Sequence, residues 1–129
     1  MSETIVIDSS ALIEYFEKTK SGIRAAKYID NENNRLIVPN IVCAEVVSKI
    51  IRKGKDPNIA IQAIKTFSVP AEEEREDYFK AGTEHPKLKA ISENISLADV
   101  VIKVIAEKNK AKILIKDAHL KGKNTILLS

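Results

Sequence analysis

Cysteine occurs once in this sequence, at Cys43, glutamine occurs once, and no apolar run is long. The single thiol excludes an internal disulfide and any zinc site built from cysteines. Cys43 stands inside the apolar stretch IVCA, residues 41–44, and reads as a small buried hydrophobe. No segment reaches the roughly 18 apolar residues that a membrane-spanning helix needs, and the amino terminus has no basic stretch followed by a long apolar one. An intracellular, cytoplasmic protein is the expectation. Repeats, low-complexity tracts and linker-like composition are also absent, so residues 1–129 are expected to form one domain. A strong net charge is missing too: 21 basic against 18 acidic side chains leave +3, too mild to indicate a nucleic-acid partner by itself. Distribution says more than the total. Positions 108–123 carry six lysines and one acid, a weak pointer to phosphate, whereas positions 72–77 hold five acids and one arginine.

What is present is organised around residues 4–16, TIVIDSSALIEYF. Thr4, Ile5, Val6 and Ile7 have the composition of a strand buried on both faces, as in a parallel sheet covered by helices. Asp8 ends that strand, and Ala11, Leu12, Ile13, Tyr15 and Phe16 follow at helical spacing. Gly22 breaks the pattern before a second short helix around residues 23–29. Leu36, Ile37 and Val38 predict a buried strand closed by Pro39, after which Asn40 is placed to cap a helix with apolar positions Ile41, Ala44, Val47, Ile50 and Ile51. A helix over 59–65, a strand near 66–69 ended by Pro70, and a charged helix from 72 to about 81, before Gly82, come next. Ser96 opens the most strongly patterned helix, SLADVVIKVIAEKN, with Leu97, Val100, Val101, Val104 and Ile105 on one side. Strands over 113–115 and 125–128 complete the chain. Alternating strands and helices in so short a chain predict an α/β fold on a parallel sheet.

Four carboxylates stand outside the charged runs: Asp8 after the first strand, Glu45 within IVCAEVV, Asp99 within LADVVIKVIA, and Asp117 after the strand at 113–115. Each has an ordinary explanation. Asp8 can cap a helix, Glu45 can pair with Lys49 one turn later, Asp99 has the spacing of a capping box with Ser96, and Asp117 begins a polar turn. None of these accounts for all four at strand ends and helix starts. If the strands ending at Asp8 and Asp117 are neighbours, both acids emerge at one edge of the sheet, the crevice where open parallel sheets collect their chemistry. Carboxylates gathered there repel, so either protons or a cation must neutralise them. Oxygen ligands without His or Cys suit Mg²⁺ or Mn²⁺, and such an ion can activate water against a phosphodiester.

In these residues the sequence resembles the PIN domains, and in its length the VapC-type ribonuclease toxins among them. The resemblance rests on Asp8-Ser9-Ser10-Ala11-Leu12-Ile13, Glu45, Ser96-Leu97-Ala98-Asp99 and Asp117, in that order along the whole chain. It implies a three-layer α/β/α sandwich with a five-stranded parallel sheet in the order 3-2-1-4-5. It further implies an acidic pocket for one or two Mg²⁺ or Mn²⁺ ions and hydrolysis of single-stranded RNA. On that reading Asp8, Glu45, Asp99 and Asp117 hold the metal, directly or through water, while Ser9, Ser10 and Ser96 orient the carboxylates. Lys49, Arg52, Lys116 and His119 are possible RNA contacts, with Lys53 beside them. A homodimer and a VapB-like antitoxin are the implied partners. The sequence departs from the family at Ile115 and Leu120, where a hydroxyl and an aromatic residue are frequent. The rival reading is a non-catalytic RNA-binding or RNA-processing domain. A phospho-accepting receiver domain or a paired-aspartate phosphatase needs further acids beside Asp8, where Ser9 and Ser10 stand.

Overall fold

The computed structural model describes residues 2–116 and 124–128. The elements run β1 (Thr4–Ile7), α1 (Ser9–Glu17), α2 (Lys20–Ile29), β2 (Arg35–Ile37), α3 (Asn40–Arg52), α4 (Asn58–Phe67), α5 (Arg75–Lys89), α6 (Leu97–Lys108), β3 (Lys112–Ile115) and β4 (Thr125–Leu127). All strand pairings are parallel, in the order β2-β1-β3-β4, with Val6 opposite both Ile37 and Ile113. Ile5, Val6 and Ile7 are 0% exposed. Successive side chains point to opposite faces, so helices cover the central strand on both sides, as its β-branched run predicts. One part of that cover is α6, which packs on β1 and β3 and carries α5. Meanwhile α1 lies against α2, α3 and β3.

The strand expected over 66–69 forms only a single parallel bridge, Val69 to Ile37, with the Val69 N–H donating to Leu36 O at 2.9 Å. Ahead of it α4 continues to Phe67, because Ala60 and Ile64 are buried at helical spacing and residues 66–67 keep that register. Val69 nevertheless stands outside β2, the position of the third strand in the expected 3-2-1-4-5 order.

Other boundaries shift for identifiable reasons. Gly22 lies inside α2, which Thr19 opens by accepting the Gly22 N–H on Oγ1 at 3.0 Å. Asn40 is the first residue of α3 and makes no cap. Its N–H is instead taken by the Glu73 carboxylate at 2.7 Å, a long-range cap that no local pattern announces. Helix α5 continues through Gly82 and Pro86 to Lys89, held along α6 with Ala81 buried. The apolar stripe of α3 that faces the core is Val42, Val46 and Ile50; Ala44 is exposed and Ile51 is 56% exposed. Leu97 is 50% exposed at the mouth of α6, whereas Val100, Val101, Ile102, Val104, Ile105 and Ala106 are buried as their pattern predicts. Cys43 is half-buried, and burial pushes its thiol up.

Candidate active site

The site is built from the ends of β1 and β3 and the starts of two helices. Asp8 leaves β1 with its N–H donating to Leu114 O at 3.0 Å, so the last residue of the β1–β3 ladder fixes its backbone. Its side chain caps α1. Oδ2 accepts from the Ser10 N–H at 3.0 Å and from the Ser10 hydroxyl at 2.5 Å. The same hydroxyl accepts the Lys116 N–H at 3.0 Å. Ser10 therefore gives its one proton to Asp8 and receives one from the strand next door, tying the two strand ends together at a buried position. Replacing Ser10 by Ala strands the Lys116 N–H and removes a donor from Asp8. Urea unfolding is expected to show a loss of about 1–3 kcal/mol.

Burial is the largest influence on the Asp8 carboxyl and raises its pKa; the Ser10 bonds lower it, the Asp99 charge raises it and Lys49 lowers it. Glu45 behaves alike. On α3 the Val42–Val46–Ile50 stripe is buried, and Glu45 and Lys49, one turn apart, are half-buried beside it. Burial raises the Glu45 pKa most and the Asp8 charge raises it next. Lys49 and a hydrogen bond from Ser9 lower it, while Asp99 adds a smaller rise. Asp99 acts on both from the first turn of α6. Its Oδ2 accepts the Ser96 N–H at 2.8 Å and its N–H donates to Ser96 Oγ at 3.0 Å, a complete capping box. The capping explanation and the cleft position thus hold together for one residue, because a capping carboxylate needs only one of its two oxygens.

Asp8, Glu45 and Asp99, far apart in sequence, come near enough for their charges to act on one another. Asp117 and His119 lie outside the described residues, as does Leu120. Ile115 is buried, 1% exposed, at the end of β3. Lys49 is half-buried on α3. Arg52 is exposed, with Nε donating to Ser48 O at 3.4 Å. Lys53 is paired with Glu17, at 2.8 Å. Lys116 is half-buried, and its ammonium donates to the Ser21 hydroxyl at 3.1 Å. The sequence reading missed Ser21. A serine in the first turn of a helix carries no signal that a lysine 95 positions away will reach it.

Among the described residues, no group of three or more His, Cys, Asp or Glu side chains forms a cage that could hold a metal ion. The donor chemistry nonetheless fits a hard divalent ion. The three acids offer only oxygen, the bonds to Asp8 and Asp99 described above engage Oδ2 in each case, and burial together with mutual repulsion leaves the cluster short of positive charge. Mg²⁺ is commonly bound by one or two carboxylates while keeping several waters, without an all-protein cage.

The PIN domain family model matches residues 5–124. The chain belongs to the PIN domain family. Solved structures resemble this PIN domain over nearly its full length. VapBC2 from Rickettsia felis, solved bound to a DNA fragment from its promoter, has a TM-score of 0.71 at 17% identity, covering 96% of each chain. A toxin–antitoxin complex from Klebsiella pneumoniae has a TM-score of 0.69 at 12% identity, covering 97% of this chain and 98% of that one. PAE2754 from Pyrobaculum aerophilum has a TM-score of 0.67 at 14% identity, covering 98% and 90%. At these identities the likeness is one of fold. No curated protein sequence matches significantly. Among the described residues, no helix is long and apolar enough to cross a membrane.

Proposed function

We propose that this PIN domain is a divalent-metal-dependent endoribonuclease hydrolysing phosphodiester bonds of single-stranded RNA, and that it is the toxin of a VapBC-type pair. The observation that supports this reading is the convergence of Asp8, Glu45 and Asp99 from β1, α3 and α6 on one cleft at the carboxyl end of the sheet. Asp8 and Glu45 would hold Mg²⁺ or Mn²⁺, with Asp99 acting directly or through water and Asp117 as the fourth acid. A bound ion supplies a water of lowered pKa and positive charge against the developing charge on phosphate.

The chain's own residues do the positioning. Ser10 ties the Asp8 carboxylate to the β3 end, and Ser96 holds Asp99 through the capping box. Ligating carboxylates depend on such partners for orientation. Lys49, Arg52 and Lys116 supply positive charge toward an RNA backbone, with His119 a further contact.

The partners follow from the same reading. A VapB-like antitoxin would close the cleft, and an apolar groove of about 560 Å³ beside α1 and α2, lined by Tyr15, Phe16, Ile23 and Ile59, offers it a second foothold. Ile23 is 63% and Ile59 82% exposed there. A homodimer is the expected assembly, to be read by light scattering.

The test is incubation of purified protein with end-labelled single-stranded RNAs in Mn²⁺, in Mg²⁺ and in EDTA, beside Asp99→Asn. Metal-dependent cutting lost in the variant supports the nuclease. One observation favours a second reading, an RNA-binding module without turnover: one Asp99 oxygen is committed to its cap. Stabilisation by Mn²⁺ with no cutting, and RNA binding indifferent to EDTA, would select that reading.

A further inference from the structure

The backbone of Lys116 stands one hydroxyl away from the Asp8 carboxylate. Its N–H donates to Ser10 Oγ at 3.0 Å, and that hydroxyl donates to Asp8 Oδ2 at 2.5 Å. The half-buried side chain of Lys116 runs to α2, where its ammonium donates to the Ser21 hydroxyl at 3.1 Å. Ser21 is 4% exposed in the first turn of α2, next to the glycine that packs on the α1 backbone. Both ends of Lys116 are therefore anchored, the backbone to α1 and the ammonium to α2. The kind of anchor matters. Lys103 and Lys108 pair with carboxylates, Glu84 and Glu107 in the first case, Glu74 and Asp77 in the second. Lys116 has no carboxylate within 4.0 Å among the described residues. A serine oxygen fixes an ammonium without neutralising it, and an ammonium has three protons to donate. A half-buried charge so held favours an anion beside it.

We propose that Lys116 binds a phosphate of the RNA strand where the strand passes the acidic cluster, and that Ser21 is a positioning residue that holds the ammonium for that contact. The inference deepens the reading above and rests on it for the identity of the anion. An RNA backbone brought up to Asp8, Glu45 and Asp99 is repelled by all three, and a fixed cation one hydroxyl from Asp8 offsets that repulsion at the place where it arises. Lysine is among the side chains that lose most rotamer freedom when ordered. Ser21 has ordered this one before substrate arrives, which leaves less to lose on binding.

The experiment titrates a fluorescent single-stranded RNA, in EDTA and at several salt concentrations, with wild type, Lys116→Met, Lys116→Arg, Ser21→Ala and the Lys116→Met/Ser21→Ala double variant. Met keeps the stem and removes the charge, and the bond from the Lys116 N–H to Ser10 belongs to the backbone and survives each change at 116. Lys116→Met is expected to bind about five- to tenfold more weakly and to flatten the slope of log affinity against log salt by about 0.7, the share of one single-strand phosphate contact. Ser21→Ala keeps the charge and frees it, so a loss of about two- to threefold is expected. The double variant is expected to bind no more weakly than Lys116→Met, because Ser21 acts only through Lys116. Arg, which also binds phosphate, is expected to stay within about twofold of wild type. In cleavage with Mn²⁺, Lys116→Met is expected to raise KM more than it lowers kcat. A pair that only ties β3 to α2 would show lower melting temperatures with affinity and salt slope unchanged; that result overturns the proposal, as does additivity in the double variant. If Ser21→Ala fails to fold, the salt slope of Lys116→Met decides. RNA held through Lys116 but never cut refutes the nuclease and supports the contact; cutting with an unchanged salt slope does the reverse, and a wild type that binds no RNA overturns both.

Discussion

Asp8→Asn is expected to lower RNA cleavage by at least about 10²-fold while the protein remains folded and, without metal, becomes more stable. The argument has two parts. Asn keeps a carbonyl oxygen that accepts from the Ser10 N–H and hydroxyl, so the cap on α1 survives the change. What disappears is a buried negative charge facing two others. Because burial raises the Asp8 pKa from its ordinary value of 3.8, the folded state binds protons more tightly than the unfolded chain. The sign follows from proton linkage. Such a group contributes stability that is complete below its unfolded pKa and is lost as pH rises through its folded pKa. Glu45, also raised by burial from an ordinary value of 4.5, adds to the same decline. Wild type should therefore lose stability as pH climbs from the acidic range toward neutrality through this cluster, and Asp8→Asn should flatten that loss. Chemical denaturation across pH 4–7.5, an interval of about three units above the ordinary carboxylate range, reads the effect. A variant less stable than wild type at neutral pH and equally active would refute both the site assignment and the electrostatics behind it.

Gly22→Ala is expected to destabilise the protein by about 2–3 kcal/mol, or roughly 8–12 °C in melting temperature for a chain of this size. A Cβ at Gly22 would stand 1.9 Å from the Glu14 carbonyl oxygen and 2.6 Å from its carbon. Both are backbone atoms of α1 and cannot swing aside as a side chain would. The same carbonyl accepts the Lys18 and Thr19 N–H groups, and the Thr19 hydroxyl bonds the Glu14 side chain at 2.9 Å. The whole α1–α2 corner therefore has to move. The gain in helix propensity from Gly to Ala, about 1 kcal/mol, is already counted against this cost. Gly82→Ala is the matched control: nothing lies within 4 Å of its added Cβ on exposed α5, so a small stabilisation is expected. Equal responses at the two glycines would show that close approach at Gly22 is not what holds the corner.

These two positions mark the boundary of what could be read in advance. The buried run Thr4–Ile7, the helix after Asp8 and the apolar face of α6 are local in origin, since periodicity and β-branching state which faces are covered whatever the neighbours are. The order of the sheet was implied by the resemblance to the PIN domains, because the pattern within a strand does not say which strand it pairs with. Glycine at 22, by contrast, reads as a break in sequence, yet it lies in a helix opened by Thr19, and only the packing against the α1 backbone shows why no larger residue fits there. The strand expected at 66–69 shrank to the Val69 bridge because α4 held its register to Phe67.

The candidate site divides along the same line. Asp8, Glu45 and Asp99 were legible one by one as acids in apolar company, and Ser96–Asp99 as a capping pair. Their meeting in one cleft, the Ser10 hydroxyl bridging Asp8 to Lys116, and Glu73 capping α3 from 33 residues away were decided by tertiary structure. The physical reason is range. Residue type and spacing set conformational preference and amphipathic faces over a few turns, whereas electrostatic coupling and hydrogen bonds between strand ends exist only once β1 and β3 lie side by side and α3 and α6 converge on their carboxyl edge.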